Sequence, residues 1–185
     1  MATSTHLHPS AIKARQILEK EPLFLDTETT GLGNTDEIVE IAVIDALGTV
    51  MVDTLVKPSR KIPADVIKIH GITNEMVQKA PAWPILWTQI RSMLIGRVIV
   101  AYNAEFDLRM MEQSYTRYRL TWKEKENLLP FDLLRLYSEF RGTSRFFSLD
   151  EAGRTSGIAL PNAHRSLADT LLARALLFHI AGVNP

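Results

Sequence analysis

Three short stretches dense in apolar residues open the main part of the chain: Leu23–Glu28, Ile38–Asp45 and Val50–Val56. Their length and their β-branched residues predict strands, and the almost unbroken apolar run of the second predicts burial on both faces. Gly48 marks the turn between the second and the third stretch. The connections are too short for a helical crossover, so we expect an antiparallel meander.

Downstream of the meander, apolar residues recur mainly with the helical period. Helix caps, first-turn proline and terminal glycine then divide this part into elements. The predicted elements are a short helix capped by Thr73, a helix with Pro84 in its first turn and Ile85–Leu94 as its body, a strand Val98–Tyr102, a helix from Ala104 to about Tyr118, a short strand around Phe131, a helix opened by a capping box of Ser148 and Glu151, and a helix from about Ser166 to Ile180 that stops at Gly182. This order predicts an α/β fold with a mixed five-stranded sheet and helices on both faces.

The chain is predicted to contain one domain, over residues 22–181, preceded by an N-terminal segment, residues 1–21. In that segment Ser10 is expected to cap a short helix through about Lys20, with Ile12, Ile17 and Leu18 on its inner face. We find no repeat, linker or low-complexity tract. The last predicted helix is followed by five residues, so we expect no tail for tethering to another protein.

Composition excludes several classes of protein. The 185 residues are 46% hydrophobic and 23% charged, which is typical of a soluble globular protein. No apolar run approaches the roughly 20 residues of a membrane-spanning helix, and the start lacks the layout of a signal peptide, so we expect a cytoplasmic location and no membrane partner. Cysteine is absent, which excludes thiolate nucleophiles and leaves carboxylate and histidine ligands, typical of Mg²⁺ or Mn²⁺. With 21 basic and 21 acidic residues, any nucleic-acid binding must be local.

Two acids lie at the end of the first predicted strand. A period of two places Asp26 and Glu28 on one side of that strand, roughly 7 Å apart along it. Acids on a central strand need compensation, which a divalent cation would supply, although a lone pair of this spacing also occurs at solvated strand ends. The following turn, residues 29–33, contains Gly31 and can bring backbone amides close to a ligand.

Further acids have both structural and functional interpretations. Asp107 lies one turn into a helix whose expected cap is Asn103, and the helix dipole alone would explain it. Phe106 beside it would ordinarily be a core residue. Asp169 shares a helix face with apolar neighbours, so it needs a cation, hydrogen-bond donors or a basic partner such as Arg165. His164 precedes this helix, where a loop can aim it at the same pocket as a general base.

Three ordered blocks resemble the DnaQ-like DEDDh exonucleases, the family that includes the proofreading subunit of bacterial DNA polymerase III and RNase T-type enzymes. The blocks are residues 24–32 (FLDTETTGL), 102–107 (YNAEFD) and 164–169 (HRSLAD). Secondary similarities occur at residues 69–73 with 80–81, and at 148–150. The resemblance covers about residues 22–180. It implies an RNase H-like fold and hydrolysis of phosphodiester bonds from a 3′ end.

The resemblance also implies the site and its two cations, Mg²⁺ or Mn²⁺. Asp26 would bridge the two, Glu28 and Asp169 would hold the one carrying water, and Asp107 would support the other, directly or through water. His164 would deprotonate the attacking water. Two cations of this kind can clamp the attacking and leaving oxygens of an in-line displacement.

Substrate contacts are expected around the terminal nucleotide, with Leu32 wedged against its base and Phe106 against the next base. Apolar stacking tolerates any base, so binding should be local, weak and distributive. The substrate-contact residues predicted from the resemblance are Thr27, Thr29, Thr30, Gly31, Leu32, Asn103 and Phe106.

The leading functional hypothesis is release of 5′-mononucleotides from the 3′ end of single-stranded or frayed DNA. An exoribonuclease of the oligoribonuclease or RNase T type is the alternative, because the same residues cleave RNA. A non-catalytic module that binds nucleic acid or a polymerase is disfavoured by the intact acid set. Tyr102 and Phe131-Asp132 depart from the pattern of many members and leave the subfamily open, and His70 is assigned to structure.

Overall fold

The computed structural model describes residues 8–158 and 164–184. Its centre is a five-stranded sheet with the order β3-β2-β1-β4-β5. The strands are β1 (Leu23–Thr29), β2 (Ile38–Ile44), β3 (Val50–Leu55), β4 (Val98–Ala101) and β5 (Leu129–Asp132). β1, β2 and β3 pair antiparallel, whereas β4 pairs parallel with both β1 and β5. The predicted meander and mixed five-stranded sheet are confirmed.

Helices cover both faces of the sheet, as predicted. They are α1 (Pro9–Leu18), α2 (Ala64–His70), α3 (Trp83–Leu94), α4 (Ala104–Thr116), α5 (Leu133–Phe140), α6 (Leu149–Thr155) and α7 (Ser166–Ala181), with a 3-10 turn at Lys125–Asn127. Within residues 8–158 and 164–184, no helix combines the length and the apolar character needed to cross a membrane.

Alternation along the strands divides the core into two layers. Leu25 of β1 points into the layer formed with α3 and α4, where it joins Trp87 and Met110. Phe24, the preceding residue, points into the opposite layer with Leu176 of α7 and Ala14 of α1. Phe24 and Leu25 are both almost fully buried, so both faces of β1 are covered at this point. Burial on both faces explains why β1 has an apolar run before its acids.

Local predictions failed in three regions. The helix expected after Thr73 is a series of turns, and the helix of this region, α2, lies upstream and ends at Gly71 in the left-handed conformation. In α1 the capping residue is His8, whose Nδ1 accepts a hydrogen bond from the Ser10 backbone N–H, whereas Ser10 is buried. Ile12, expected on the inner face, is exposed because Ala11, Ala14 and Ile17 form that face. α5 was not predicted.

The topology brings the candidate site together at one edge of the sheet. β1 and β4 run parallel, so the acids at the end of β1 and the start of α4, which follows β4, lie at the same edge. α7 packs across β1 and β2. Its first turn therefore reaches the end of β1 from the second layer.

Candidate active site

Two acids of β1 form the base of the site. Asp26 and Glu28 are partly buried and alternate with buried Leu25 and Thr27 along the strand. In the register with β2, Asp26 lies opposite Ala42 and Glu28 lies opposite Glu40. The predicted placement of both carboxylates on one side of the strand agrees with this alternation.

Asp169 completes a cluster of three carboxylates with the β1 pair. One carboxylate oxygen from each of Asp26, Glu28 and Asp169 can be chosen so that all lie within 4.8 Å of one another. Asp169 reaches this position from the first turn of α7, whose following apolar residues Leu172, Ala173 and Leu176 are buried. The spacing of the oxygens and their hard chemistry fit a divalent cation.

Burial raises the pKa of every carboxyl in this cluster, and repulsion from neighbouring carboxylates adds to the rise. Burial is the main cause for Asp26, whose pKa lies well above its ordinary value, followed by the charges of Asp107, Asp169 and Glu28. Burial, then the charges of Asp169 and Glu40, raises the pKa of Glu28 to about 8. Burial also raises the pKa of Asp169, against a hydrogen bond from His164. Such a cluster is costly without a positive charge.

Asp107 lies beside the cluster and is tied to β1 differently. It is buried in the first turn of α4, and its Oδ1 accepts a hydrogen bond from Thr27 Oγ1 at 2.8 Å. Burial raises its pKa to about 7, although the hydrogen bonds from Thr27 oppose the rise. After burial, the negative charge of Asp107 is the largest cause of the raised pKa of Asp26.

His164 is exposed immediately before α7 and has a left-handed backbone with φ of 70°. Its backbone N–H donates to Asp169 Oδ2 at 3.3 Å. The loop before the helix therefore places His164 next to Asp169, although a separation of five residues would not align them within a helix.

The predicted substrate turn is tightly braced. The hydroxyl of Thr29 donates to the Gly31 carbonyl at 2.7 Å, and that of Thr30 donates to Asp36 Oδ1 at 2.7 Å. Gly31 has φ of 154°, and a Cβ there would lie 2.6 Å from Asp36 Oδ2. Leu32 extends from this turn and is 77% exposed, and its contact with a base stays a prediction.

α4 supports the same turn from the side. Asn103 occupies its N-cap position and is exposed. Phe106 is partly buried, and the Arg109 guanidinium lies 5.3 Å from the centre of its ring. Arg109 Nη1 also reaches the Leu32 carbonyl at 3.4 Å, and Gln113 Nε2 donates to the Gly33 and Asp36 carbonyls at 3.0 Å each.

Sequence reasoning missed the partner of Arg165. Its guanidinium was suggested as a partner for Asp169, but it pairs with Glu40 of β2. Glu40 is the only acid in an otherwise apolar strand, IVEIAVI, and that pattern was an available signal for a buried acid that needs a basic partner. The sequence analysis also missed three residues that brace the substrate turn: Asp36, Arg109 and Gln113. Their contacts go to backbone carbonyls or to a short loop, and no periodic pattern in the sequence indicates such contacts.

Two residues outside the acid set support the site's edges. His70 is buried, its Nε2 lies 3.3 Å from the Thr29 carbonyl and its Nδ1 accepts from the Ile72 N–H at 3.0 Å, which agrees with a structural assignment. The Tyr102 hydroxyl donates to the Phe147 carbonyl at 2.8 Å, which ties the end of β4 to the start of α6.

The sequence model of the exonuclease family RNase_T matches residues 23–177. The chain belongs to this exonuclease family. It is 37% identical over 182 residues to an uncharacterized exonuclease, CP81, of Escherichia phage 186, with 91% of this chain and 92% of that protein covered. It is also 37% identical over 155 residues to a DNA polymerase III subunit epsilon-like protein of Rhodobacter capsulatus, with 79% of this chain but 21% of that protein covered.

Solved structures of exonucleases share the fold. Exonuclease X, in complex with 5′ overhanging duplex DNA, has a TM-score of 0.65 and 26% identity, covering 86% of this chain and 90% of that chain. A structure of exonuclease I has a TM-score of 0.67 and 22% identity, covering 84% of this chain and 40% of that chain. The RNase H-like fold and the DnaQ-like relationship are confirmed, and the protein is a nuclease with an acidic cluster suited to a divalent metal.

Proposed function

We propose that the protein removes nucleotides one at a time from the 3′ end of single-stranded or frayed DNA and releases 5′-mononucleotides. The observation that carries this proposal is the approach of three carboxylates, Asp26, Glu28 and Asp169, within 4.8 Å, with Asp107 and His164 beside them. An acid set of this composition would only destabilise the fold if it held no cation.

The residues that would hold metal are Asp26, Glu28, Asp107 and Asp169, and the metal would be Mg²⁺ or Mn²⁺. When bound, two such ions supply Lewis-acid stabilisation of the attacking and leaving oxygens and make water a better nucleophile. Asp26 would be the ligand shared by both ions, a role supported by the approach of its carboxylate to those of Glu28 and Asp169 within 4.8 Å. Asp107 lies outside this group of three and would help to hold the second ion, directly or through water.

His164 is the proposed general base. His164 is exposed and its backbone N–H contacts Asp169, which supports this role. A neutral imidazole nitrogen at the edge of the cluster can accept the proton of the attacking water. His164→Ala should lower kcat about 10²- to 10⁴-fold, the usual contribution of a general base. Mn²⁺ binding, followed by calorimetry, should be nearly unchanged.

The terminal nucleotide is proposed to sit on the braced turn, with Leu32 and Phe106 against successive bases. The exposed Leu32 and the partly buried Phe106 are linked by Arg109, which contacts the backbone of one and the ring of the other. Thr27, Thr29, Thr30, Gly31 and Asn103 complete the proposed contact set. DNA is favoured as the substrate because the structural relative with 26% identity, exonuclease X, was solved with duplex DNA.

A labelled-strand assay tests this function. Single-stranded DNA and RNA of one sequence, each labelled at the 5′ end, are incubated with Mg²⁺, Mn²⁺ or EDTA, with Asp26→Asn as the inactive control. We expect a metal-dependent ladder that shortens from the 3′ end and DNA cleaved faster than RNA. A phosphorothioate at the last linkage should slow the first step. Absence of shortening by wild type, while a reference exonuclease works, refutes the proposal, and faster RNA cleavage refutes the DNA preference.

A further inference from the structure

Glu40 is a buried acid of β2 that the proposed chemistry does not use. It is 2% exposed and lies opposite Glu28 in the antiparallel pairing of β1 with β2. An unpaired carboxylate at this depth would be strongly unfavourable, and a second negative charge so close to the acid cluster adds repulsion. A carboxylate in this apolar strand therefore needs a specific partner that stabilises its charge.

That partner is the pair of residues that follow His164, namely Arg165 and the first residue of α7, Ser166. Arg165 Nε lies 3.0 Å and 3.1 Å from the two carboxylate oxygens of Glu40, and Nη2 contacts Oε1 as well. The Ser166 backbone N–H donates to Glu40 Oε2 at 2.9 Å. Burial alone would raise the pKa of Glu40, but the hydrogen bonds from Arg165 and Ser166 outweigh it and lower the pKa. Glu40 is therefore ionised and held by donors from two consecutive residues.

We propose that Glu40 and Arg165 are positioning residues that hold His164 in its working orientation at the acid cluster. This inference rests on the proposed function, in which His164 is the general base. Three consecutive residues are anchored: the His164 N–H on Asp169, the Arg165 side chain on Glu40 and the Ser166 N–H on Glu40.

The backbone of His164 explains why such anchoring is needed. A non-glycine residue with φ of 70° is strained and is kept only where the surrounding contacts determine its conformation. Glu40 contributes by holding the two residues that follow His164, from a position opposite Glu28 on the neighbouring strand. Loss of the anchor should let the segment relax to an ordinary conformation and displace the imidazole, and small displacements of a catalytic group reduce turnover strongly.

A purely structural role, tying β2 to α7, makes different predictions. In that case any replacement that keeps the fold would keep the activity. The Glu40 side chain is 2% exposed and the Arg165 side chain 45%, so the pair is buried on the Glu40 side only. Replacing the buried charge of a pair, together with its partner, by apolar residues of similar volume is often neutral or stabilising. The double variant Glu40→Leu with Arg165→Leu can therefore keep the packing of β2 against α7 while it removes the anchor of His164.

The experiment compares Glu40→Gln, Arg165→Lys and the double leucine variant with wild type. Readouts are kcat and KM on single-stranded DNA, strand affinity in Ca²⁺ by fluorescence anisotropy, Mn²⁺ affinity by calorimetry, and hydrogen–deuterium exchange of the metal-free chain. Glu124→Gln, which breaks the pair between Glu124 and Arg91 at 2.7 Å, is the control for loss of an ion pair elsewhere.

We expect Glu40→Gln and the double variant to lower kcat about 10- to 100-fold, the usual effect of losing a residue that orients a ligand or base. KM and strand affinity should stay within about twofold, because the substrate turn is untouched. Arg165→Lys keeps the positive charge, so its kcat should lie between that of the double leucine variant and that of wild type. Amides of residues 164–166 should exchange faster in Glu40→Gln, whereas residues 172–180 and the control should match wild type.

The inference is overturned if the double variant keeps wild-type kcat, or if Glu40→Gln alters exchange throughout α7 rather than at its start. Should Glu40→Gln fail to fold, the double variant decides between the two roles. Inactive wild type would refute the proposed function itself, whereas active wild type with equally active variants would refute only the positioning role.

Discussion

Glu28→Gln should stabilise the metal-free protein at pH 8 although it removes an essential ligand. Burial, with the charges of Asp169 and Glu40, raises the pKa of Glu28 from 4.5 to about 8. Between these values the native chain binds more protons at this carboxyl than the unfolded chain does. The free energy of unfolding of wild type therefore falls as the pH rises through this window. The glutamine variant cannot ionise at this position, so its free energy of unfolding does not fall for this reason.

The magnitude follows from the difference between the two pKa values. A shift from 4.5 to about 8 corresponds to about 5 kcal/mol at 1.36 kcal/mol per pH unit. Glu28 is partly open to solvent, and screening by water reduces the loss to about 2–3 kcal/mol. Wild type and variant should therefore have similar stability near pH 4.5, and the variant should be more stable by that amount at pH 8.

Urea denaturation in EDTA at several pH values between 4.5 and 8 measures this difference. The exposed Glu19→Gln is the control, and its free energy of unfolding should follow wild type at every pH. Mg²⁺ at pH 8 should raise the unfolding midpoint of wild type, because a ligand that binds only the native state stabilises it, and should raise that of Glu28→Gln much less. A metal-free Glu28→Gln that is less stable than wild type at pH 8 would refute the reasoning.

Three further predictions concern the neighbours of the cluster. Thr27→Val removes the hydroxyl that donates to Asp107 and should lower the free energy of unfolding in EDTA at pH 8 by about 1.5–3 kcal/mol, measured by urea denaturation. Gly31→Ala introduces a Cβ against the carboxylate that braces the substrate turn and should cost about 1–3 kcal/mol, with a lower melting temperature. Leu32→Ala should raise KM for single-stranded DNA about threefold to tenfold, the effect of losing about 1 kcal/mol of stacking, and change kcat less.

Each of these three substitutions has a matched control variant of the same protein. Thr27→Ser retains the hydroxyl and should resemble wild type. Gly33→Ala, whose Cβ would lie 3.1 Å from the same carboxylate oxygen, should be milder than Gly31→Ala. Leu47, 86% exposed in a turn between β2 and β3, is a matched apolar side chain, and Leu47→Ala should leave KM unchanged. Equal effects of a variant and its control would contradict the assigned contact.

The candidate site was predictable from sequence to the extent that local periodicity determines side-chain direction. The period of two in β1 was enough to place Asp26 and Glu28 together, and the helical period showed Asp169 as an acid on an apolar face. Short connections were enough to predict the antiparallel meander. The order of three motif blocks indicated the family, which the match over residues 23–177 confirms.

Contacts between distant segments were decided only by the tertiary structure. Arg165 lies 125 residues from Glu40. The apolar strand around Glu40 indicates that this acid needs a partner, but only the docking of α7 on β2 shows that the partner is Arg165. The short helices α2 and α5 likewise depend on packing more than on their own sequences, because helices of seven or eight residues are marginal in isolation. Sequence periodicity sets which way a side chain points, whereas the pairing of strands and the docking of α7 set what it meets.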